Sequence, residues 1–172
     1  YCQDNAISWL DWDLAWLQEN RELLAFTQRL IAIRRQHPTF RRRHFFQGLH
    51  GDGVRDILWF NPDGREIDDD EWSHDYARCL GLYLPGAGLK EDDERGHPRC
   101  DDDFLLLCNA HHEDIAFVPP PFPIADSFEV LIDTALPLGA PANGNLHPAE
   151  EPYPVRGRSL VLLQHRRSSP AT

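Results

Sequence analysis

The sequence predicts a mainly β protein in which one long helix precedes an antiparallel β-sandwich. The helix is indicated by apolar residues that recur at spacings of three, four and seven between Asn20 and Gln36. The sandwich is indicated by short apolar runs, from Phe45 onward, that clusters of Gly, Pro and Asp separate. Because most of these runs have no helical pattern between them, antiparallel pairing is favoured over a parallel βαβ arrangement.

The predicted helix has recognisable ends in the sequence. Asn20 is a residue type favoured at the N-cap. At the other end, Arg34 and Arg35 complement the negative pole of the helix dipole. Pro38 disfavours helical geometry at the residue before it, so we expect the helix to end at His37.

Seven apolar runs are candidates for strands. Two stretches, Phe104–Cys108 and Leu160–Leu163, are continuous enough to be central strands that are buried on both faces. Another run is followed by Asn61–Gly64, a strong turn signal because proline presets φ and glycine accepts a positive φ. The seven runs are residues 45–47, 54–60, 79–84, 104–109, 114–118, 128–133 and 158–165.

Composition and charge exclude several classes of protein. The chain has 172 residues with 28 acidic and 17 basic side chains, which gives a formal charge of −11. This acidic balance argues against a nucleic-acid partner, because phosphate binding depends on clustered Lys and Arg. No apolar run approaches the roughly 20 residues that cross a bilayer, so we expect no membrane segment. The sequence contains no methionine, and we therefore expect it to be a piece of a longer polypeptide.

The four cysteines lack the dense spacing of a secreted disulfide scaffold, so we expect free thiols in a cytoplasmic protein. A zinc site is the alternative, since His97 and Cys100 form one close pair of potential ligands and Cys108 and His111 form another. Against zinc, Cys108 lies within the strongest strand run, where a thiol acts as a small hydrophobic side chain. We predict no metal and no cofactor.

Clusters of like charge also need an interpretation. We interpret the acidic runs 68–71, 91–94 and 101–103 as solvated loops, because none has the ligand spacing of an EF-hand. The basic run Arg41–His44 is short and isolated in an acidic chain. We interpret it as the cover of a helix-to-strand corner, with phosphate binding as the alternative.

The first 12 residues combine amides, carboxylates and large aromatic rings. Planar rings stack on the faces of sugars, and Asn, Gln and Asp side chains form forked hydrogen bonds to neighbouring hydroxyl groups. Gln3, Asp4 and Asn5 are therefore candidates either for sugar binding or for an ordinary polar loop. For Trp12 and Trp16 we favour packing against the start of the helix.

This opening stretch resembles a known family. Tyr1–Asn5 followed by Ile7–Trp12 is similar to the Y-C-Q-D-N-E-I-S-W-x-D-W stretch of bacterial glycogen debranching enzymes, in the isoamylase branch of the α-amylase superfamily. One departure is Ala6, which stands where the family usually has glutamate. The resemblance continues in order through His37–Pro38, Arg41–Gly48, Asp56–Glu66, Trp72, Asp102–Leu107, Asn109–His111, Leu131–Thr134 and Gly157–Ser159.

The resemblance implies a domain layout. Residues 1–43 would be the end of a truncated (β/α)8 catalytic barrel, namely the loop after its eighth strand and its last helix. Residues 44–167 would form the C-terminal β-sandwich, and residues 168–172 a disordered tail. The active sites of such barrels lie at the loops that follow the strands. The predicted substrate-binding residues, at the rim of a glucan cleft, are Tyr1, Gln3, Asp4 and Asn5.

The resemblance also implies what this piece lacks. In the superfamily the nucleophilic Asp, the acid Glu and a third Asp all precede the stretch that corresponds to Tyr1. We therefore predict no catalytic residue here and no hydrolytic activity for the piece alone. The parent polypeptide would hydrolyse α-1,6 branch linkages of glycogen, and the rest of the barrel would be the partner of this piece.

Two further expectations follow for the surface. Without the barrel, the helix face that bears Leu23, Phe26, Leu30 and Ile33 would be partly uncovered. The alternative function is an accessory glucan-binding sandwich, which requires exposed aromatic rings on one sheet face. The aromatic candidates in the sandwich are Trp59, Trp72, Tyr76, Tyr83 and Tyr153.

Overall fold

A computed structural model describes residues 3–48, 55–75, 77–89, 91–121, 127–141 and 145–165. Within these residues the chain has one α-helix and eight strands. The helix, α1, spans Gln18–Gln36, and a short 3-10 helix over Trp12–Trp16 precedes it. The strands are β1 (Leu58–Phe60), β2 (Cys79–Leu84), β3 (Asp103–Asn109), β4 (Ile115–Phe117), β5 (Ser127–Asp133), β6 (Leu146–Pro148), β7 (Tyr153–Val155) and β8 (Ser159–His165).

The described strands pair antiparallel in two sheets. The larger sheet has the order β1-β2-β3-β8-β5-β6, and the smaller sheet pairs β4 with β7. The two continuous apolar runs of the sequence form β3 and β8, which lie side by side at the centre of the larger sheet. The predicted antiparallel β-sandwich is therefore confirmed. The predicted tail at residues 168–172 lies outside the described residues.

The pleat of the larger sheet divides its side chains between two cores. In β3, Leu105 and Leu107 belong to core 1, whereas Phe104 belongs to core 2 on the opposite face. Core 1 also contains Phe117 of β4, so it is the interior between the two sheets. Core 2 contains Ile33 of α1, so the helix covers the other face of the larger sheet.

The strand predictions fail at one run and at two short strands. Run 45–47 forms no strand; the Gln47 and Gly48 N–H groups instead donate to the carboxylate of Asp56, at 3.0 and 2.9 Å to its nearer oxygens. Strands β6 and β7 lie outside the predicted runs. Each has only three residues and includes a proline, Pro148 or Pro154, which weakens a strand signal in sequence.

The N-cap of the helix lies three residues earlier than predicted. Leu17 occupies the N-cap position without a side-chain hydrogen bond, while the Asn20 amide donates to the Leu14 carbonyl at 2.7 Å. The N-cap prediction is wrong because the preceding 3-10 helix leads directly into α1. At the other end, His37 is the C-cap residue and has extended geometry before Pro38, as predicted. No helix in the described part of the chain combines the length and apolarity needed to span a bilayer.

The acidic run 101–103 is not a solvated loop. Asp101 accepts hydrogen bonds from the Thr39 N–H at 2.9 Å and from His37 Nδ1 at 2.8 Å. Asp103 is 2% exposed and accepts a hydrogen bond from the Gly86 N–H at 2.7 Å. The interpretation is wrong here because N–H donors replace the water that a solvated carboxylate would bind.

Two more buried carboxylates hold the segment between α1 and β1. Asp56 is 1% exposed, and its Oδ2 lies 2.9 Å from Arg42 Nη2. Glu91 accepts a hydrogen bond from the Arg43 N–H at 2.6 Å. These contacts agree with the interpretation of the basic run as the cover of a helix-to-strand corner.

Two local features fit α1 against the sandwich. The register of β5 shifts at Leu131, and the Leu131 carbonyl accepts a hydrogen bond from Arg29 Nε at 3.1 Å. Gly139 has φ +64° and lies against the ring of Phe26, which a Cβ at this position would approach to 2.4 Å. These two contacts therefore fix the position of α1 on the sandwich.

Candidate functional site

The predicted substrate-binding residues lie in a tight turn before α1, which we call the opening turn (residues 3–9). The Ser8 and Trp9 N–H groups both donate to the Asn5 carbonyl, at 3.0 and 3.1 Å. The Asn5 side-chain oxygen accepts a hydrogen bond from the Ile7 N–H at 3.0 Å. Asparagine favours this kind of turn because its side chain bonds to the backbone two residues later. Asn5 therefore stabilises the turn itself.

Gln3 and Asp4 are exposed beside Asn5. The Asn5 amide donates to Gln3 Oε1 at 3.2 Å, and the indole N–H of Trp9 donates to Asp4 Oδ1. The structure thus brings three of the four predicted residues together in one hydrogen-bonded turn. The fourth, Tyr1, lies outside the described residues.

The tryptophans before α1 are not packed. Trp9 is 64% exposed, and Trp12 and Trp16 are each 73% exposed. The interpretation that Trp12 and Trp16 pack against the start of the helix is wrong, because the 3-10 helix that carries them has no buried residue. Their rings are available to a ligand or to another polypeptide.

An exposed apolar surface continues from the opening turn along α1, and we call it the opening face. Its members are large apolar side chains that are at least 39% exposed. They are Ile7, Trp9, Leu10, Trp12, Leu14, Trp16, Leu17, Leu23, Leu24, Leu30 and Ile31. Leu23 and Leu30 are uncovered as expected, whereas Ile33 and part of Phe26 pack on the sandwich. A surface of this kind is typical of one that binds another polypeptide.

The aromatic candidates of the sandwich do not form a sugar-binding platform within the described residues. Tyr83 and Tyr153 belong to core 1 and are 8% and 9% exposed. The rings of Trp59 and Trp72 meet edge to face, with centroids 5.6 Å apart and planes at 80°. Tyr76 lies outside the described residues. A coplanar pair that could stack on a sugar face is thus not formed by the four described rings.

The alternative zinc quartet is not assembled in the described part of the chain. The groups of three potential ligands within 4.8 Å there are His111–Glu113 and the set of His37, Asp101 and Asp102. Both Asp101 oxygens accept hydrogen bonds from N–H donors, so this second set is a structural network. Burial raises the pKa of the Cys108 thiol, which disfavours the thiolate that zinc would require.

One strongly perturbed group lies inside the sandwich. The Tyr153 hydroxyl donates to Asp133 Oδ2 at 3.0 Å. Burial and the negative charge of Asp133 together raise the pKa of the Tyr153 phenol. Because this hydrogen bond joins β7 of the smaller sheet to β5 of the larger sheet, it serves the fold.

Fold and surface together define an antiparallel β-sandwich domain that is joined to a helix and turn with an uncovered apolar face. The sandwich itself matches a known family. The family model described as "Isoamylase, C-terminal" matches residues 56–164, which extend from just before β1 to within β8. The chain belongs to the isoamylase C-terminal family.

Curated relatives extend the similarity to residues that precede the sandwich. The chain is 39% identical over 168 residues to the "Glycogen operon protein GlgX homolog" of Mycobacterium bovis and of Mycobacterium tuberculosis, a match that covers 95% of this chain. It is 34% identical over 120 residues, 70% of this chain, to the "Glycogen debranching enzyme" of Klebsiella pneumoniae. The chain spans 23% of the length of the mycobacterial relatives and 14% of the Klebsiella relative. The predicted resemblance to bacterial glycogen debranching enzymes is confirmed.

Proposed function

We propose that this chain is the C-terminal part of an enzyme that hydrolyses α-1,6-glucosidic branch linkages in glycogen. The observation that carries the proposal is the opening face, which presents eleven large apolar side chains next to a sandwich of the isoamylase C-terminal family. The names and the greater length of the relatives support the same reading.

In this proposal the rest of a catalytic barrel covers the opening face apart from Trp9, whose ring stays open to the glucan cleft. Removing one large apolar side chain from water contributes about 1.5–3 kcal/mol, so covering this face would strongly favour association. Residues 1–43 would complete the barrel, and residues 44–167 would form the sandwich that supports it. Two residues would attach α1 to the sandwich: Ile33, which is buried in core 2, and Arg29, which is hydrogen-bonded to the Leu131 carbonyl.

The opening turn would form part of the rim of the glucan cleft. The amides of Gln3 and Asn5 donate and accept hydrogen bonds, and the carboxylate of Asp4 accepts them, which suits neighbouring sugar hydroxyl groups. Trp9, held by its hydrogen bond to Asp4, offers an exposed ring for stacking. Tyr1 is the fourth rim residue of the proposal. Asn5 fixes the turn, so less conformational freedom would be lost on binding.

Hydrolysis itself would be performed by residues outside this chain. Retaining glycosidases need a nucleophilic carboxylate and a general acid about 5 Å apart across the scissile bond. The buried carboxylates Asp56, Glu91, Asp101 and Asp103 instead accept hydrogen bonds that hold the fold together. We therefore expect the 172-residue chain alone to be inactive.

A chimera tests this proposal. The matching segment of the Mycobacterium tuberculosis relative is replaced by this chain, and the release of branches from a branched α-glucan is measured. We expect hydrolysis by the chimera, and none by the isolated chain or by the relative without its matching segment. Turnover by the isolated chain would contradict its predicted inactivity, and a folded but inactive chimera would contradict the assignment as a whole.

Rim substitutions in the chimera test the binding residues. We expect Gln3→Ala and Asp4→Ala each to raise KM by about fivefold with little change in kcat, because each removes a hydrogen bond of roughly 1 kcal/mol to substrate. Asp13→Ala, at an exposed position of the 3-10 helix, is the matched control. If KM is unchanged in both rim variants, the rim assignment is wrong even where the chimera is active.

A further inference from the structure

A concave pocket lies beside the C-terminal end of α1 and the basic run that follows it. Its volume is about 530 Å³, and cationic and aromatic side chains make up most of its lining. We call it the arginine pocket. The lining residues that matter below are Arg34, Thr39, Arg41, Arg42, Phe45 and Phe46.

Two guanidinium groups of the arginine pocket have no carboxylate partner among the described residues. Arg34 Nη1 donates to the Phe40 carbonyl, and Arg41 Nη2 donates to the Arg35 carbonyl at 2.9 Å. The main chain therefore holds both cations in place while their charge stays uncompensated. In a chain with a formal charge of −11, this creates a local positive field that would attract an anion.

The helix-to-strand corner is held by contacts of Arg42 and Arg43, not by those of Arg34 and Arg41. Arg42 pairs with Asp56, and the Arg43 backbone N–H donates to Glu91. Arg34 and Arg41 do not take part in either contact. Within the described residues, neither guanidinium group therefore has a carboxylate that would balance its charge.

Buried polar atoms at this pocket also lack hydrogen-bond partners. Within the described residues three buried side-chain nitrogen or oxygen atoms are unpartnered, and two of them, Thr39 Oγ1 and Arg42 Nε, belong to pocket residues. The Arg42 side chain is only 8% exposed, and Thr39 only 3%. An unsatisfied buried group costs about 1–3 kcal/mol, so an acceptor oxygen that reaches it would be favoured.

Aromatic rings form one wall of the pocket. The Phe46 ring centroid lies 4.4 Å from Arg42 Cζ, and the Phe46 side chain remains 42% exposed. Phe45 is 95% exposed and contributes almost no burial to the fold. The two rings offer apolar surface next to the cations, which suits a ligand with an anionic end and an uncharged body.

We propose that the arginine pocket binds a small phosphate monoester. Such a group carries between one and two negative charges near pH 7 and has three acceptor oxygens. We assign these oxygens to Arg34, Arg41 and the hydroxyl of Thr39, which all line the pocket. The organic part of the ligand then lies against Phe45 and Phe46. The pocket volume is in the range of small-molecule sites, and the acidic charge of the whole chain disfavours a nucleic acid.

Calorimetric titration of the chain with inorganic phosphate and with phenyl phosphate tests the proposal. We expect one site for each ligand and tighter binding of phenyl phosphate. The double variant Arg34→Gln/Arg41→Gln is expected to lose about tenfold or more in affinity for both. The matched control Arg21→Gln/Arg95→Gln removes the same charge from exposed positions and should stay within about twofold.

Equal losses in the two double variants would mean that affinity follows net charge alone, and would overturn the proposal. Absence of binding by the unsubstituted chain at millimolar ligand would also overturn it. The titrations are repeated in the chimera, where the opening face is covered. Because they measure binding and not hydrolysis, their outcome is independent of the proposed debranching activity.

Two single variants keep the test decisive if the double variant does not fold. Thr39→Val removes only the unpartnered hydroxyl, so we expect unchanged or higher thermal stability and about fivefold weaker phosphate binding. Phe45→Ala should weaken phenyl phosphate binding but not phosphate binding. Unaltered affinities in both variants would show that the ligands do not occupy the arginine pocket.

Discussion

Large apolar side chains are mostly buried in the sandwich but mostly exposed in the opening segment, by which we mean residues 3–36. In the sandwich, apolar side chains of every described strand except β6 enter one of two cores, and buried carboxylates accept hydrogen bonds from N–H donors. In the opening segment, the hydrogen bonds of the opening turn are local, and eleven large apolar side chains face solvent. An apolar pattern thus indicates which side chains of a segment are buried in the complete fold, but not which surface buries them. That surface can belong to another part of a longer protein.

The largest effect is expected where a phenylalanine ring is lost from a core, in contrast to one lost from the surface. Phe104 is fully buried and its ring centroid lies 4.6 Å from that of Phe40 and 4.8 Å from that of His37. Phe104→Ala should lower the free energy of unfolding by about 3–5 kcal/mol because it leaves a cavity. Phe45→Ala, at a 95% exposed position, should change it by less than about 0.5 kcal/mol. Urea denaturation followed by circular dichroism measures both, and equal losses would contradict the comparison.

A buried carboxylate should also matter far more than an exposed one. Asp56→Asn leaves the Arg42 guanidinium buried without its counter-charge, so we expect a loss of about 3 kcal/mol in the free energy of unfolding. Asp63→Asn breaks the exposed pair with Arg65 and should cost less than about 1 kcal/mol. Urea titrations of the two variants at one pH measure the difference. Similar costs would mean that Asp56 does not hold the corner.

Substitutions at two glycines test how closely α1 packs against the sandwich. Gly139→Ala would place a Cβ against the Phe26 ring at φ +64°, so we expect a loss of about 2 kcal/mol from overpacking and backbone strain. Gly48→Ala has a similar φ of +76° but meets no atom within 4 Å, and should cost about 1 kcal/mol. Thermal unfolding of the two variants separates contact from strain. A smaller effect at Gly139 than at Gly48 would argue against close packing of the helix.

The smallest effect on the isolated chain is expected in the opening face. Trp12→Ala combined with Trp16→Ala should change the free energy of unfolding by less than about 0.5 kcal/mol, since both rings are 73% exposed. In the chimera the same double variant should lower the unfolding temperature, because there the rings would be covered. Unchanged unfolding of the chimera would show that the barrel does not cover this part of the face.

Local signals in the sequence predicted several elements correctly. The helical period between Asn20 and Gln36 and the proline at Pro38 located α1 and its end, and two continuous apolar runs located the central strands β3 and β8. These signals are reliable because they depend on neighbours within a few residues. The start of α1 was missed because the chain enters it from another helical turn, without a side-chain cap.

The candidate site was predictable in composition but not in its surroundings. Asn5 was expected in a polar loop, and the structure places it in a turn with Gln3 and Asp4. The exposure of Trp12 and Trp16 was not predictable, since an aromatic ring before a helix has the same sequence signal whether it is packed or uncovered. Arg34 and Arg41, which have no carboxylate partner among the described residues, could not be distinguished in sequence from Arg42, which pairs with Asp56.

The sequence by itself determined the antiparallel sandwich, the helix before it and the membership of the isoamylase C-terminal family, because periodicity, turn residues and motif order are properties of the chain alone. Only the tertiary structure decided which carboxylates are buried, which cations have no carboxylate partner among the described residues and which apolar face is left uncovered. Burial depends on residues that are distant in sequence, as the hydrogen bond between His37 and Asp101 across 64 positions illustrates.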